Sequence, residues 1–316
     1  MQLEVSEQAA RAQAFTPNEG AASAISHHGE ILQGVFSSAN GALVRGLVTL
    51  PRHGLSARAR FSPDYSGHLQ VYPSWKLKAL EAAKSTLKEL NAHGWGGTLR
   101  LTDHIPPGYG LGSSTSDVVA AIRAVADAFG VRLRPATISR LAVDAEQASD
   151  PIMFEERVVL FAQRHGCVLD ELGVSLPEME VVGFNTDPGG VGVSTLEHPL
   201  PNYAADEEQM FRLLLGLLRA AVCHGRVDYL GLVASASARV NQRYLPKPHF
   251  DVLDRMPERV GAVGLQVAHS GTIAGLLFDP RNPELETQTV EAARLLTELG
   301  IHNTWHFRAG GNGLLP

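Results

Sequence analysis

The sequence predicts an α+β protein built as two lobes. Three observations point there. Runs of period-two alternation, the mark of half-buried strands, occur in both halves of the chain and are separated by amphipathic helices. A Pro- and Gly-rich loop, IPPGYGLGSSTS at 105–116, runs straight into an Ala- and Val-rich helix. A turn-rich break follows residue 185 and divides a chain of 316 residues, long enough for a sizeable core. These place a loose extension at 1–20, a first lobe at 21–190 and a second at 191–316.

The elements follow in order. Leu43 to Thr49 and Leu55 to Phe61 predict two strands, the second alternating cleanly. Residues 75–92 carry Leu77, Leu80, Leu87 and Leu90 at helical spacing, and Gly94 is a plausible stop. Thr98 to Asp103 alternates again as a strand. Beyond the glycine-rich loop, helices are expected at 117–130, 136–148 and 152–165, then a strand at 181–185. The second half predicts helices at 206–223, 226–240 and 287–299, with strands at 261–268, 273–278 and 303–308.

Composition narrows the function classes. The 27 basic and 33 acidic residues give a formal charge of -6, which disfavours a nucleic-acid partner because phosphate backbones reward a basic excess. Cys167 and Cys223 are too few for a disulfide framework and lack metal-ligand spacing, so both are expected as reduced core thiols. The greasiest stretch, Leu213 to Leu218, is far short of a membrane span, and the polar N-terminus has no signal core. A soluble cytoplasmic protein is expected.

The loop at 105–116 is the most informative segment. Gly108, Gly110 and Gly112 let backbone approach an anion, and Ser113, Ser114 and Thr115 supply hydroxyls at a helix start, where unpaired N–H groups and the peptide dipoles favour negative charge. The same string also suits a tight strand–helix turn with serine capping. No Walker lysine is present, and the three glycines miss the dinucleotide spacing by one residue.

Pro106-Pro107-Gly108-Tyr109-Gly110-Leu111-Gly112-Ser113-Ser114-Thr115 resembles the second motif of the GHMP kinases (galacto-, homoserine, mevalonate and phosphomevalonate kinases), with Thr for the usual Ala. Ser270-Gly271-Thr272 falls in the place of that family's glycine-rich C-terminal motif. Gly29-Glu30-Ile31-Leu32-Gln33-Gly34 is similar to the first motif of the L-threonine kinases of cobalamin and propanediol metabolism. So are Asn241-Gln242 with Leu245-Pro246-Lys247-Pro248, Val267 to Gly271, and the turn at 185–190. The chain departs from that subfamily in having His28, preceded by His27, where Cys stands before Gly-Glu, and in lacking the Pro of Glu-Pro-Thr-Asp.

The resemblance implies a two-lobe kinase fold, with a β-α-β nucleotide lobe and a ferredoxin-like second lobe. It also implies transfer of the ATP γ-phosphate to a small alcohol. Pro107, Gly108, Gly110, Leu111, Gly112, Ser113, Ser114 and Thr115 would hold ATP. Glu146, with Ser113 or Ser114, would hold Mg²⁺, an ion suited to oxygen ligands. Asp150 would orient or deprotonate the acceptor hydroxyl, and Asp144 stays open as an alternative carboxylate. On spacing, Glu146 and Asp150 share a helix face if the helix continues. Glu30, Gln33, Asn241, Gln242, His269, Ser270 and Gly271 would recognise the acceptor, L-threonine first, with homoserine, serine or a modified relative next. Glu30 and Gln33 are read in a Gly-flanked turn, His27 and His28 as surface or substrate-loop residues, and Lys247 as a solvated loop charge or a partner for a carboxylate or phosphate. An ATP-dependent decarboxylase on the same fold and a non-catalytic ATP-binding protein are the rival functions, and a homodimer is compatible with the resemblance.

Overall fold

The computed structural model describes residues 16–38, 40–103, 105–187, 203–269 and 271–311. Residues 1–15 of the extension expected at 1–20, Ser270 and the turn residues 188–190 lie outside the described residues. Two long strands, β1 (Gly20–Ser37) and β2 (Leu43–Asp64), pair antiparallel and form the spine. Beyond them come β3 (Leu69–Tyr72), β4 (Gly96–Asp103), β5 (Val158–Ala162), β6 (Cys167–Gly173), β7 (Met179–Asn185), β8 (Gly264–Val267), β9 (Ile273–Phe278) and β10 (Thr304–Ala309). The sheet runs β10-β7-β9-β8-β1-β2-β4-β3, and β5 joins β2 to β6. Strand β7, which the expected lobe boundary assigns to the first half, lies between β9 and β10 of the second.

The helices are α1 (Leu77–Glu89), α2 (Ser113–Ala128), α3 (Pro135–Glu146), α4 (Ala205–His224), α5 (Val227–Asn241), the short α6 (Phe250–Leu253) and α7 (Met256–Val260), and α8 (Leu285–Glu298). Helix α2 is buried nearly all round. Val118, Val119, Ile122 and Val125 are fully covered by β1, β2, α1 and α3. Its small and β-branched side chains allow that close packing and remove apolar surface from water. Helices α4 and α5 cover β1 through Phe211, Leu218, Leu230 and Val233. A third cluster joins Val182, Phe184 and Leu276 to Leu295 and Leu296 of α8.

Three expectations are corrected. The two strands at 43–49 and 55–61 are one strand. Ile25 pairs Ser56 while the next residue, Ser26, pairs Arg52, so residues 53–55 bulge out between the halves. No helix forms over 152–165. A turn leads into β5, whose five residues Val-Val-Leu-Phe-Ala are all buried, a short apolar run whose periodicity fits either element until pairing with β2 and β6 decides it. Cys167 and Cys223 are both exposed, one on β6 beyond the end of the main sheet path and one in the last turn of α4.

Candidate active site

The GEILQG segment is a bulged strand, not a turn. His27 pairs Pro51 and Glu30 pairs Thr49, so β1 carries one extra residue there, with Gly29 at φ 67°. A Cβ on Gly29 would come within 2.3 Å of the Gln266 Nε2 and 2.7 Å of the Ala268 Cα, so only glycine fits. The bulge re-aims the side chains around it. His27 turns toward the N-terminus of α2, and Glu30 faces the turn after β8. Both histidines are buried, at 1% and 0% exposure, contrary to the surface placement expected for them.

The glycine-rich loop enters α2 through three left-handed residues, Gly108, Gly110 and Gly112, at φ 80°, 88° and 72°. Gly112 is the N-cap residue and no side chain caps the helix. The first-turn N–H groups are therefore not spent on a capping side chain, which favours an anion there. The loop is braced from behind. Thr272 N and Ile273 N both donate to Tyr109 O at 3.0 and 3.1 Å. A Cβ on Gly271 would sit 2.3 Å from Gly110 N. Thus Gly271 supports the loop directly, and this contact requires a glycine.

An open cleft of about 1010 Å³ lies over this loop. Glu146 and Asp150 both line it, but not by helical periodicity. Helix α3 ends at Glu146, Gln147 takes the left-handed conformation at φ 66°, and Asp150 arrives on the turn beyond. Ser114 Oγ donates to Glu146 Oε2 at 2.8 Å. Glu146 Oε1 is buried without a partner. Burial lifts the Glu146 carboxyl to about 7; the Ser114 hydrogen bond opposes this, and the charge of Asp150 adds to it. Asp144 points to solvent and pairs with Arg140 at 3.7 Å, so the structure keeps it out of the cleft.

Asp150 Oδ2 accepts from Thr115 Oγ1 at 3.2 Å and lies 3.0 Å from His27 Nε2. Burial opposes ionisation of Asp150, but the facing imidazole and the two hydrogen bonds hold its carboxyl below the usual range. Burial likewise opposes charge on His27, yet Asp150 and the more distant Glu30 carry it up to about 9. His28 is different. Burial drives it down to about 3 against its hydrogen bond to Gln266 Oε1, so it is a neutral packing group against Trp305 and Phe307.

The other candidates fall in two groups. Glu30 Oε2 accepts from the His269 backbone N–H at 2.7 Å and lies 3.3 Å from its Nδ1. Ser237 Oγ meets His269 Nε2 at 3.3 Å and accepts from Gln33 N at 3.1 Å. Lys247, 6% exposed rather than solvated, donates from Nζ to Gly271 O at 2.6 Å. Burial lowers its ammonium to about 8, against the pull of Glu30. Glu30, His269, Lys247 and Gly271 thus form one buried polar cluster behind the loop. Asn241 and Gln242 serve it indirectly. Gln242 Nε2 donates to Ala238 O and its Oε1 accepts from Lys247 N at 2.7 Å, tying the 242–248 loop to α5. Asn241 O accepts from Leu245 N at 2.8 Å.

Sequence reasoning missed Trp75, Lys76 and Lys78, which line the cleft at the start of α1. Lys76 is ion-paired with Asp117 of α2, and the charge of Lys78 reaches Glu146. The signal was present in the string Trp-Lys-Leu-Lys, read only as the start of an amphipathic helix.

Known proteins share sequence or fold with this chain. Residues 77–154, which contain the loop and both carboxylates, match the GHMP kinases N terminal domain. The chain is 27% identical to an L-threonine kinase of Citrobacter freundii over 185 residues, 58% of this chain and 62% of that protein. It is 26% identical to an L-threonine kinase of Salmonella typhimurium over 205 residues, 60% and 63% of the two chains. The chain therefore spans less than two thirds of the length of these relatives. Homoserine kinase from Cytophaga hutchinsonii superposes with a TM-score of 0.64 at 15% identity, covering 92% of this chain and 94% of that one. Mevalonate kinase from methicillin-resistant Staphylococcus aureus gives 0.59 at 17%, covering 93% and 100%. These two likenesses are of fold.

Proposed function

We propose that this chain, which has the GHMP kinase fold and that family's N-terminal domain at 77–154, transfers the γ-phosphate of ATP to the hydroxyl of a small hydroxy amino acid, L-threonine first. The observation that carries the reading is the pairing of two unlike carboxylates over one uncapped, glycine-approached helix N-terminus. Glu146 is buried with a bare oxygen. Asp150 is held ionised by its neighbours. Phosphoryl transfer asks little covalent chemistry of a protein and depends on positioning and charge neutralisation. The N–H groups of 108–115 and the dipole of α2 hold the nucleotide phosphates. Glu146 Oε1, with the Ser113 or Ser114 hydroxyl, fits Mg²⁺, since a hard cation takes oxygen ligands and one or two carboxylates suffice beside phosphates. Bound there, Mg²⁺ supplies positive charge against the transferred group.

Asp150 receives the acceptor hydroxyl through a hydrogen bond and takes or orients its proton. The acceptor hydroxyl meets Asp150 in the cleft, and the buried Glu30–His269–Lys247 cluster, which does not line that cleft, acts on it through Gly271 and the loop that Gly271 supports. Glu30 favours the acceptor's ammonium group and Lys247 its carboxylate, with Gln33 and the Gly271 backbone beside them. Asn241 and Gln242 keep the lysine loop in place. The two named L-threonine kinases support the choice of acceptor, and homoserine and serine follow as relatives. We place the enzyme in the cytoplasm, where ATP is available. Among the described residues no helix is long and apolar enough to cross a membrane.

The test is ADP release with L-threonine, with the product identified by mass. A product heavier by one phosphoryl group supports the reading. Release of carbon dioxide with stoichiometric phosphate would make the protein a decarboxylase. Tight ATP binding with no turnover on any acceptor would make it a binding protein.

A further inference from the structure

We propose that His27 is the positioning residue for Asp150: its Nε2–H, together with the Thr115 hydroxyl, fixes one carboxylate oxygen so that the other faces the acceptor. The proposal rests on the kinase reading above. It starts from how Asp150 is supported. The residue follows the left-handed Gln147, beyond the end of α3, so no helical hydrogen-bond ladder sets its direction. Its side chain is 21% exposed and opens on the cleft. Only Oδ2 is engaged, by Thr115 Oγ1 and by His27, which leaves Oδ1 without a hydrogen bond among the described residues.

His27 is itself held from every side. The backbone around it is tied to the loop, with Ser26 Oγ donating to Leu111 O at 2.8 Å and His27 N to the same oxygen at 3.4 Å. Its ring lies against Gly112, where an added Cβ would stand 2.2 Å from the His27 Cδ2. Gly29 N donates to His27 Nδ1 at 3.1 Å. That bond needs a lone pair on Nδ1, so the neutral ring carries its proton on Nε2. The imidazolium also carries Nε2–H, so both forms donate to Asp150, and only the neutral form accepts from Gly29 N. One ring therefore registers three parts of the site: the bulged strand, the phosphate loop and the acceptor carboxylate. A displacement of about 1 Å in such an alignment is enough to cost roughly a hundredfold in rate.

The experiment compares His27→Ala and His27→Gln with the wild type under saturating ATP and L-threonine. Glutamine can present an N–H where Nε2 stands, and alanine cannot. Expected for His27→Ala is a fall in kcat of about a hundredfold. The KM for ATP should stay within about threefold, and imidazole added to the medium should recover part of the lost rate. His27→Gln should keep most of kcat. In an Asp150→Asn background, His27→Ala should add little further loss. A thermal melt and its shift by ADP show whether each variant is folded and holds nucleotide. If His27→Ala keeps kcat within threefold, the proposal is wrong. Equal losses in both variants with no imidazole effect would make His27 a packing group against Gly112. If His27→Ala does not fold, retention of kcat by His27→Gln and the Asp150→Asn comparison on that background decide the matter. A wild type that phosphorylates no hydroxy amino acid fails at the first step, which overturns the kinase reading and this proposal together and is distinct from an active wild type with an indifferent His27.

Discussion

Ser114 Oγ and Glu146 Oε2 meet at 2.8 Å across 32 residues of chain, joining the first turn of α2 to the last turn of α3. The other Glu146 oxygen is buried and unpartnered. A bare carboxylate oxygen in that setting is costly to the free protein and useful to a cation.

This gives Glu146→Gln two opposite effects. Turnover should fall by a factor of about a hundred or more, because charge stabilisation is usually the largest catalytic contribution. The free protein should become more stable at pH 8. Burial raises the folded carboxyl from 4.5 to about 7. Between those values the folded state holds a proton that the unfolded chain has released, so stability falls as pH rises through the window. Removing the charge removes that loss. A melting temperature higher by about 2 °C or more at pH 8 is expected, with no gain near pH 4. Melts at the two pH values without metal or nucleotide check it.

Gly110 is approached from behind as well as from the cleft. It sits at φ 88°, and a Cβ there would lie 2.6 Å from the Ala268 Cβ and 3.1 Å from the Gly271 Cα. Gly110→Val should abolish ATP binding and also lower the melting temperature, since both the backbone conformation and the packing of the 268–273 turn oppose it. Isothermal titration with ATP, beside a melt, reads both effects. Unchanged ATP affinity in the folded variant would remove the nucleotide from this loop.

In the proposed reading, Lys247 sets a pH limit on acceptor binding. Its ammonium is lowered to about 8, first by burial. The cation is present below that value and is lost as pH rises through it. The KM for L-threonine should therefore rise about tenfold between pH 7 and pH 9. Lys247→Met should raise it at pH 7 and abolish the dependence, with the KM for ATP little changed. Initial rates at varied L-threonine across the pH range provide the measurement.

Most of the candidate residues were legible in the sequence because they lie in short contiguous strings. The loop at 105–116 and its helix emerge as read, and Glu146, proposed from the resemblance to the GHMP kinases, does meet Ser114. The expected strand at 273–278 matches β9 to the residue. What was hidden depends on partners far along the chain. The bulge at His27–Glu30 exists only as an offset between β1 and β2, and no local pattern announces an unpaired residue. His27 and Asp150 are 123 residues apart, so the imidazole looked like a surface group until the strand crossed the helix start. Lys247 between two prolines has the look of a solvated loop, and the partner of its buried ammonium, Gly271 O, lies 24 residues away. The run at 158–162 fits helix or strand until β2 and β6 claim it.

The central claim is the acceptor class, and one comparison tests it most directly: kcat/KM for L-threonine, L-serine, L-homoserine, galactose and mevalonate under a single condition with ATP and Mg²⁺. The account predicts that a hydroxy amino acid, L-threonine or a near relative, is strongly preferred and that galactose and mevalonate are not phosphorylated. A clear preference for galactose or mevalonate would contradict it.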